Sequence, residues 1–274
     1  MKNIPRIRFP EFNDVYFEKK LSYYLIEQKE NNKKLKYTKN EVLSISGEKG
    51  VINQIQHLGK SFSGDNLSKY MIVYPLNIVY NKSILKENPY GTIKCNLGET
   101  GIVSPQYAVY SCNNIKILNP RYIEYYFSLK ERLNKYLKPL INEGARCRSV
   151  QIINKDFLKG TVIFPSIEEQ NKIVNFFTIY DQNIQNQTIK IKILEKRKSG
   201  YLQKIFSQEY RFKNNNKEYF PNWKQFLIGE LFNERKEKDV IKGDLLSVTK
   251  EKGIIKNKAF SEVTPNFKNK YKIV

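Results

Sequence analysis

Residues Leu43 to Ile52 return as Leu246 to Ile255, 203 positions later, with six of the ten identical. Upstream, Phe17, Leu21 and Leu25 find counterparts in Trp223, Leu227 and Leu231, and Phe9-Pro10 in Phe220-Pro221. Downstream, Lys69-Tyr70 with Ile72-Val73 is matched by Lys270-Tyr271 with Ile273-Val274. Self-similarity at a long offset means one structural unit used twice. The second copy is expected to begin near residue 209 and to stop at Val274, within its opening strands.

A chain of 274 residues with 40% apolar and 13% aromatic residues can build a packed core. No run approaches the roughly 20 apolar residues of a membrane span, and Pro5, Arg6, Arg8, Glu11 and Asp14 interrupt any signal-peptide core. A cytoplasmic protein is expected. Cys95, Cys112 and Cys147 are odd in number and far apart, which predicts reduced, mostly buried thiols and no metal site. The net charge of +21 and pI near 9.6 suit a polyanion partner, because neutralising phosphates releases counterions. Codon drift in an AT-rich genome produces the same lysine excess, so charge alone leaves both explanations open.

Along the chain the pattern changes twice. Residues 1 to about 40 read as an opening arm and a short helix, with Leu21, Tyr24, Leu25 and Gln28 at helical spacing. From 42 to 118, short apolar runs separated by Gly, Asn, Pro and Ser predict strands at Val42–Ile45, Met71–Tyr74, Ile78–Tyr80, Gln106–Tyr110 and Ile115–Leu118. Asn119 then caps a helix with Pro120 at its first position and Tyr122, Tyr126, Leu129, Leu133 and Leu137 on one face. After a loop holding Gly144, Arg146 and Arg148, a last strand is expected at Thr161–Phe164.

Ser166 and Glu169 form the sequence pattern of a capping box, which opens a long helix. Ile173, Phe177, Tyr180, Ile184, Ile191, Leu194, Tyr201 and Ile205, with Gln187 and Lys198 as polar interruptions, are spaced alternately by four and three as in a heptad seam. Some 40 residues at about 1.5 Å each span roughly 60 Å, more than a small domain can cover. A partner helix is therefore expected on this seam; an ordinary helix at the domain edge is the alternative.

Catalytic constellations are missing. His57 is the only histidine, which excludes a His-based triad, and Gly47-Glu48-Lys49-Gly50 lacks the spacing of a phosphate loop. Asn119-Pro120-Arg121-Tyr122 is similar to the Asn-Pro-Pro-Tyr motif of amino-methyltransferases, but Arg121 replaces the second Pro and no glycine-rich cofactor loop precedes it. A non-enzyme without cofactor or metal is expected.

Four segments in order carry a resemblance to a known family. They are Arg8-Phe9-Pro10-Glu11-Phe12, then Gly101-Ile102-Val103-Ser104-Pro105 before Tyr107, then Phe164-Pro165-Ser166-Ile167-Glu168-Glu169-Gln170-Asn171-Lys172-Ile173, and finally Lys198-Ser199-Gly200-Tyr201-Leu202-Gln203-Lys204-Ile205-Phe206. Together they resemble the DNA-specificity (S) subunit of type I restriction-modification systems. The resemblance implies an α+β chain: a β-rich target recognition domain over 1–164, a coiled-coil spacer helix over 165–207, a linker over 208–218 and an incomplete second recognition domain over 219–274.

It also implies double-stranded DNA and modification (methyltransferase) subunits as partners, with a restriction subunit where the system has one. The shortened second copy suggests a homodimer, or pairing with another specificity chain. Residue type and turn position make Lys49, Lys60, Lys69, Lys82, Lys94, Arg146 and Arg148 the candidate phosphate contacts. Asn53, Gln54, Asn81, Tyr90 and Gln151 are the candidate base or sugar contacts, and Arg146 and Arg148 suit guanine. An assembly or inhibitory module, binding partner subunits through the helix without productive DNA recognition, is the alternative.

Overall fold

The computed structural model describes residues 5, 7–84, 88–140, 152–234, 246–250 and 252–256. The chain divides into two compact units, residues 1–194 and 195–274, with the boundary inside the long helix.

In the first unit, β1 (Phe17–Lys20) and β2 (Leu25–Glu27) are followed by β3 (Leu43–Ser46), β4 (Gly50–Asn53) and the short helix α1 (Gln54–Leu58). Then come β5 (Met71–Val73), β6 (Ile78–Asn81), β7 (Thr92–Cys95), β8 (Gly101–Val103) and β9 (Tyr107–Cys112). Three helices, α2 (Pro120–Tyr126), α3 (Lys130–Leu137) and α4 (Asn154–Phe157), precede β10 (Thr161–Phe164) and the 40-residue helix α5 (Ile167–Phe206). The central sheet runs β2-β9-β6-β7, all antiparallel, and the pairs β1-β10, β3-β4 and β5-β8 surround it. This mixture of strands and one long helix is the expected class.

One core lies between the central sheet and α2–α4, and it is built from rings. Phe164 has Tyr24, Tyr122 and Tyr126 around it at centroid distances of 4.8, 5.2 and 4.8 Å. Phe157 takes Tyr80 and Tyr110 at 5.1 and 5.3 Å. Burying a tyrosine is favourable only when its hydroxyl finds a partner. Tyr80 donates to the Tyr90 carbonyl at 2.8 Å, Tyr110 to the Asn154 carbonyl at 3.0 Å, and Tyr136 to the Phe157 carbonyl.

A smaller core joins β3 and β4 to the rest: Leu43 packs with Val73, Val79, Val103 and Val109. The close approach runs through Gly101, where an added Cβ would lie 2.5 Å from the Glu41 carbonyl oxygen and 2.6 Å from Leu43 Cγ. Next to it, Val42 bridges Ile102.

Four local expectations are corrected. The short helix expected over 21–28 is only the 3-10 turn Leu21–Tyr23, which leads straight into β2 with Leu21, Tyr24 and Leu25 buried in the core. Ile115–Leu118 is no strand but a turn, folded by the Asn114 side chain, which accepts the Lys116 N–H at 2.8 Å, and by the Asn114 carbonyl, which accepts Ile117 and Leu118. The helix expected from Pro120 to Leu137 is broken at Phe127–Leu129, where Phe127 turns into the core and Ser128 Oγ donates back to the Tyr125 carbonyl at 2.8 Å. Finally, only half of the capping box forms. Ser166 Oγ accepts the Glu169 N–H at 3.4 Å, but the Glu169 carboxylate points away from the cap and into the domain.

In the second unit α5 continues to Phe206, α6 spans Ile228–Leu231, and β11 (Leu246–Thr249) pairs with β12 (Gly253–Lys256). Residues 208–218, expected as a linker, are tied by Arg211 to the Pro221 carbonyl at 2.6 Å and by a bridge from Lys213 to Tyr219. The β11-β12 register reproduces that of β3-β4 pair for pair: Leu43 faces Asn53 as Leu246 faces Lys256, and Ser46 faces Gly50 as Thr249 faces Gly253. Both turns end on a glycine with positive φ, +78° at Gly50 and +65° at Gly253. In both, a hydroxyl closes the turn: Ser46 Oγ accepts the Lys49 N–H at 3.1 Å, and Thr249 Oγ1 accepts the Lys252 N–H at 3.0 Å.

Two outcomes follow from this packing. Gly101→Ala forces β3 off β8 and is expected to cost about 1–3 kcal/mol, read as a lower urea midpoint at unchanged slope. Burial pushes the Cys95 thiol up to about 12 from its ordinary 9.0, and the same cause raises Tyr80, Tyr110, Tyr122 and Tyr136. The folded chain therefore holds protons that the unfolded chain releases. Stability is expected to be complete below about pH 9 and to fall as pH rises above it, with Cys95→Ala flattening part of that fall in urea titrations.

Candidate nucleic-acid interface

The segment 28–70 holds eight lysines against four carboxylates. Its two loops, 28–41 and 54–70, are fastened to each other. Asn32 N–H donates to the Tyr70 carbonyl at 2.9 Å, Asn53 Nδ2 to the Asn40 carbonyl at 2.6 Å, and Lys39 Nζ to Asp65 at 2.6 Å. Within the first loop, the buried Asn32 amide clasps both the N–H and the carbonyl of Tyr37, at 3.1 and 2.8 Å. That clasp closes a short turn displaying Lys33, Lys34 and Lys36, all exposed, with Leu35 at φ +49° between them. Three of the four carboxylates have local work: Glu30 accepts the Tyr74 hydroxyl, Glu41 accepts the Thr38 N–H, and Asp65 holds Lys39. Lys29, Lys33, Lys34, Lys36, Lys49, Lys60 and Lys69 are exposed and without an ion pair among the described residues. The result is a rigid positive surface made by loops on a sheet, an arrangement that can hold phosphates.

The residues chosen from sequence fall in different places. Lys60 and Lys69 lie in the 54–70 loop and are exposed. Asn53 and Gln54 lie at its base, but their amides are occupied. Asn53 caps α1 by accepting the Gln56 N–H at 3.1 Å, and Gln54 donates to Ser44 Oγ at 2.6 Å while accepting the Phe62 N–H at 2.7 Å. Lys49 is exposed at the other end of the β3-β4 hairpin, the end that also brings Gly47 near Asn88.

Lys94 is paired with Glu124 at 3.0 Å, and the other oxygen of Glu124 accepts the Cys95 N–H at 3.0 Å, which fastens α2 to β7. Lys82 donates to the Ile152 carbonyl at 2.7 Å and to Asn154 Oδ1 at 2.5 Å, and burial lowers the pKa of its ammonium. Asn81 accepts the Ser83 N–H at 3.0 Å, and Tyr90 packs on the core. Arg146, Arg148 and Gln151 lie outside the described residues, as does Cys147. The sequence reading missed Lys29, Lys33, Lys34 and Lys36. The available signal was the Lys33-Lys34 pair beside Asn32, a residue type that closes turns.

The long helix leaves the domain in two parts. Its first turns are docked: Arg8 grips Glu169 through both carboxylate oxygens at 2.8 and 2.6 Å, and Tyr16 donates to Glu169 at 2.8 Å. Gln170 accepts the Asn119 N–H at 3.0 Å, Arg121 donates to Thr178 at 2.8 Å and to Asp181 at 3.2 Å, and the Tyr125 ring packs tilted against Phe177 at 5.2 Å. Ile173 is likewise packed on the core. From Asp181 to Ser199 every residue is exposed, including Ile184, Ile191 and Leu194 of the seam; Tyr180 and Tyr201 are exposed too, and Ile205 is half-buried. Among the described residues, no helix is long and apolar enough to cross a membrane, and no group of three or more His, Cys, Asp or Glu is placed to hold a metal ion.

No protein-family model matches the chain, and no curated protein matches it in sequence. Among solved structures, the crystal structure of the HsdS subunit from Thermoanaerobacter tengcongensis overlaps at 12% identity and a TM-score of 0.43, covering 75% of this chain and 50% of that one. A chain from a study of complex assembly and conformational transition in the type I R-M system overlaps at 14% identity and a TM-score of 0.45, covering 82% of this chain and 56% of that one. This chain spans about half the length of these neighbours, and at such identity no residue role transfers from them.

Gln54→Ala removes the brace under the 54–70 loop. It is expected to cost about 1 to 2 kcal/mol and to speed amide exchange at Phe62 and Ser63, while the exchange of β6 and β9 stays unchanged.

Proposed function

We propose that this chain is a non-catalytic specificity subunit of a type I restriction-modification complex, reading one half of a bipartite duplex site and docking modification subunits. The observation that carries the DNA reading is the pair of fastened loops 28–41 and 54–70, with exposed lysines that no carboxylate neutralises among the described residues. Lysines on such a surface set affinity and register on the phosphates, whereas sequence is read by groups that reach base edges. The sequence motifs and the +21 charge point the same way. Lys33, Lys34 and Lys36 join Lys49, Lys60 and Lys69 as phosphate contacts in this reading, and Lys82 and Lys94 act as fold-internal cations.

The exposed seam of α5 supports the docking half of the proposal and also the second reading, an assembly or inhibitory module. Ile184, Ile191 and Leu194 present apolar surface at heptad spacing, which a partner helix would cover. Size-exclusion chromatography of the chain with modification subunits separates the two readings when combined with selection from a randomised duplex pool. Enrichment of a two-part motif supports the specificity subunit. Co-elution without enrichment supports the assembly module.

Replacing Lys33, Lys34 and Lys36 together by Ala is expected to weaken duplex binding and to make the plot of log affinity against log salt shallower by roughly 2 to 3. An unchanged slope would remove this loop from the interface.

A further inference from the structure

We propose that Phe62 is a wedge whose ring enters the base stack of a duplex at the step gripped by the surrounding lysines. The inference rests on the DNA reading above and supplies the contact that lysines cannot make. Phe62 is 63% exposed, at the tip of the loop after α1. An exposed phenyl ring on a loose loop would carry little information, but this one is held from below. Its N–H donates to Gln54 Oε1 at 2.7 Å, Ser61 Oγ reaches the same oxygen at 3.2 Å, and Ser63 Oγ lies 2.9 Å from Ser61 Oγ. Gln54 itself is fixed to Ser44 of β3 at 2.6 Å. An ordered chain of hydrogen bonds therefore runs from the sheet to the Phe62 backbone and holds a largely exposed apolar ring in water, where its burial would be favourable.

The setting selects the occupant. Lys60 Nζ stands 5.1 Å from the ring centroid, and Lys69 belongs to the same loop. An apolar protein surface would leave these ammonium groups desolvated and unpaired, which is costly. A duplex places phosphates beside each base step, so a lysine beside an apolar ring, with a second in the same loop, matches it in charge and in polarity. Proteins that bend DNA insert apolar side chains between base pairs in this way, and the cost of unstacking is offset by the closer phosphate contacts the bend permits.

The test uses the full chain and two labelled duplexes of the same random sequence, one fully paired and one with a single central abasic position. A missing base removes the unstacking cost beforehand, so the wild type is expected to bind the abasic duplex at least about fivefold more tightly. Phe62→Ala is expected to lose that preference and keep the salt dependence; Phe62→Trp keeps both. Lys60→Ala keeps the preference and makes the salt slope shallower by roughly 0.9. Because the ring is exposed, the circular dichroism of Phe62→Ala should match that of the wild type. A wild type that binds paired duplex without any abasic preference, or a Phe62→Ala variant that retains it, overturns the wedge and leaves the DNA reading standing. A wild type that binds neither duplex overturns both.

Discussion

The Glu169 carboxylate, 1% exposed, is the point from which the long helix is held. A buried carboxylate without partners would be strongly unfavourable, and here the fork of Arg8 and the hydroxyl of Tyr16 satisfy it. The consequence is topological. Arg8 lies in the opening arm and Glu169 at the start of α5, so two segments 161 residues apart close the domain with one bidentate pair. Gln170 continues the anchoring through the Asn119 N–H and the Ile117 and Pro165 carbonyls, and Arg121 extends it to Asp181. Polar contacts with fixed geometry thus set how the helix is rotated on its domain, and the apolar stripe beyond Asp181 is left free for other surfaces.

That division explains what the sequence disclosed. Period and length were enough for α5, because a four-three spacing sustained from Ile173 to Ile205 has no other regular reading. Asn119-Pro120 was enough for the start of α2, where the Asn119 side chain accepts the Arg121 N–H. The role of Glu169 was hidden, since a capping box and a buried anchor use the same residue at the same place, and only the distant Arg8 decides between them. The break at Phe127 was hidden for a similar reason: Leu129, Leu133 and Leu137 keep helical spacing across it, and tertiary burial of Phe127 overrides the local preference. In the interface, residue type identified Lys60 and Lys69 as exposed cations but could not tell them from Lys82 and Lys94. Those two differ only in having a carbonyl or a carboxylate within reach, supplied by residues at the start of α4 and in α2 that are remote in sequence.

The internal repeat shows how much of a hairpin is local. The pairs β3-β4 and β11-β12 share register, the positive φ of the closing glycine and the hydroxyl that braces the turn. Their surroundings differ. Leu43 is 8% exposed against the valines of the small core, whereas Leu246 is 40% and Val248 85% exposed. Short-range chemistry is sufficient to specify this turn and its register, and the sheet it packs on supplies burial.

The clasp of Asn32 on Tyr37 separates two kinds of constraint that usually compete. Closure of the loop depends on an amide at its base, and the exposed side chains at 33, 34 and 36 make none of the hydrogen bonds of that clasp. Mutational drift at those three positions therefore costs the fold little, while changes at Asn32 reach the half-buried neighbours Tyr37 and Tyr70. A lineage carrying this loop can explore new surface chemistry one substitution at a time without first acquiring spare stability.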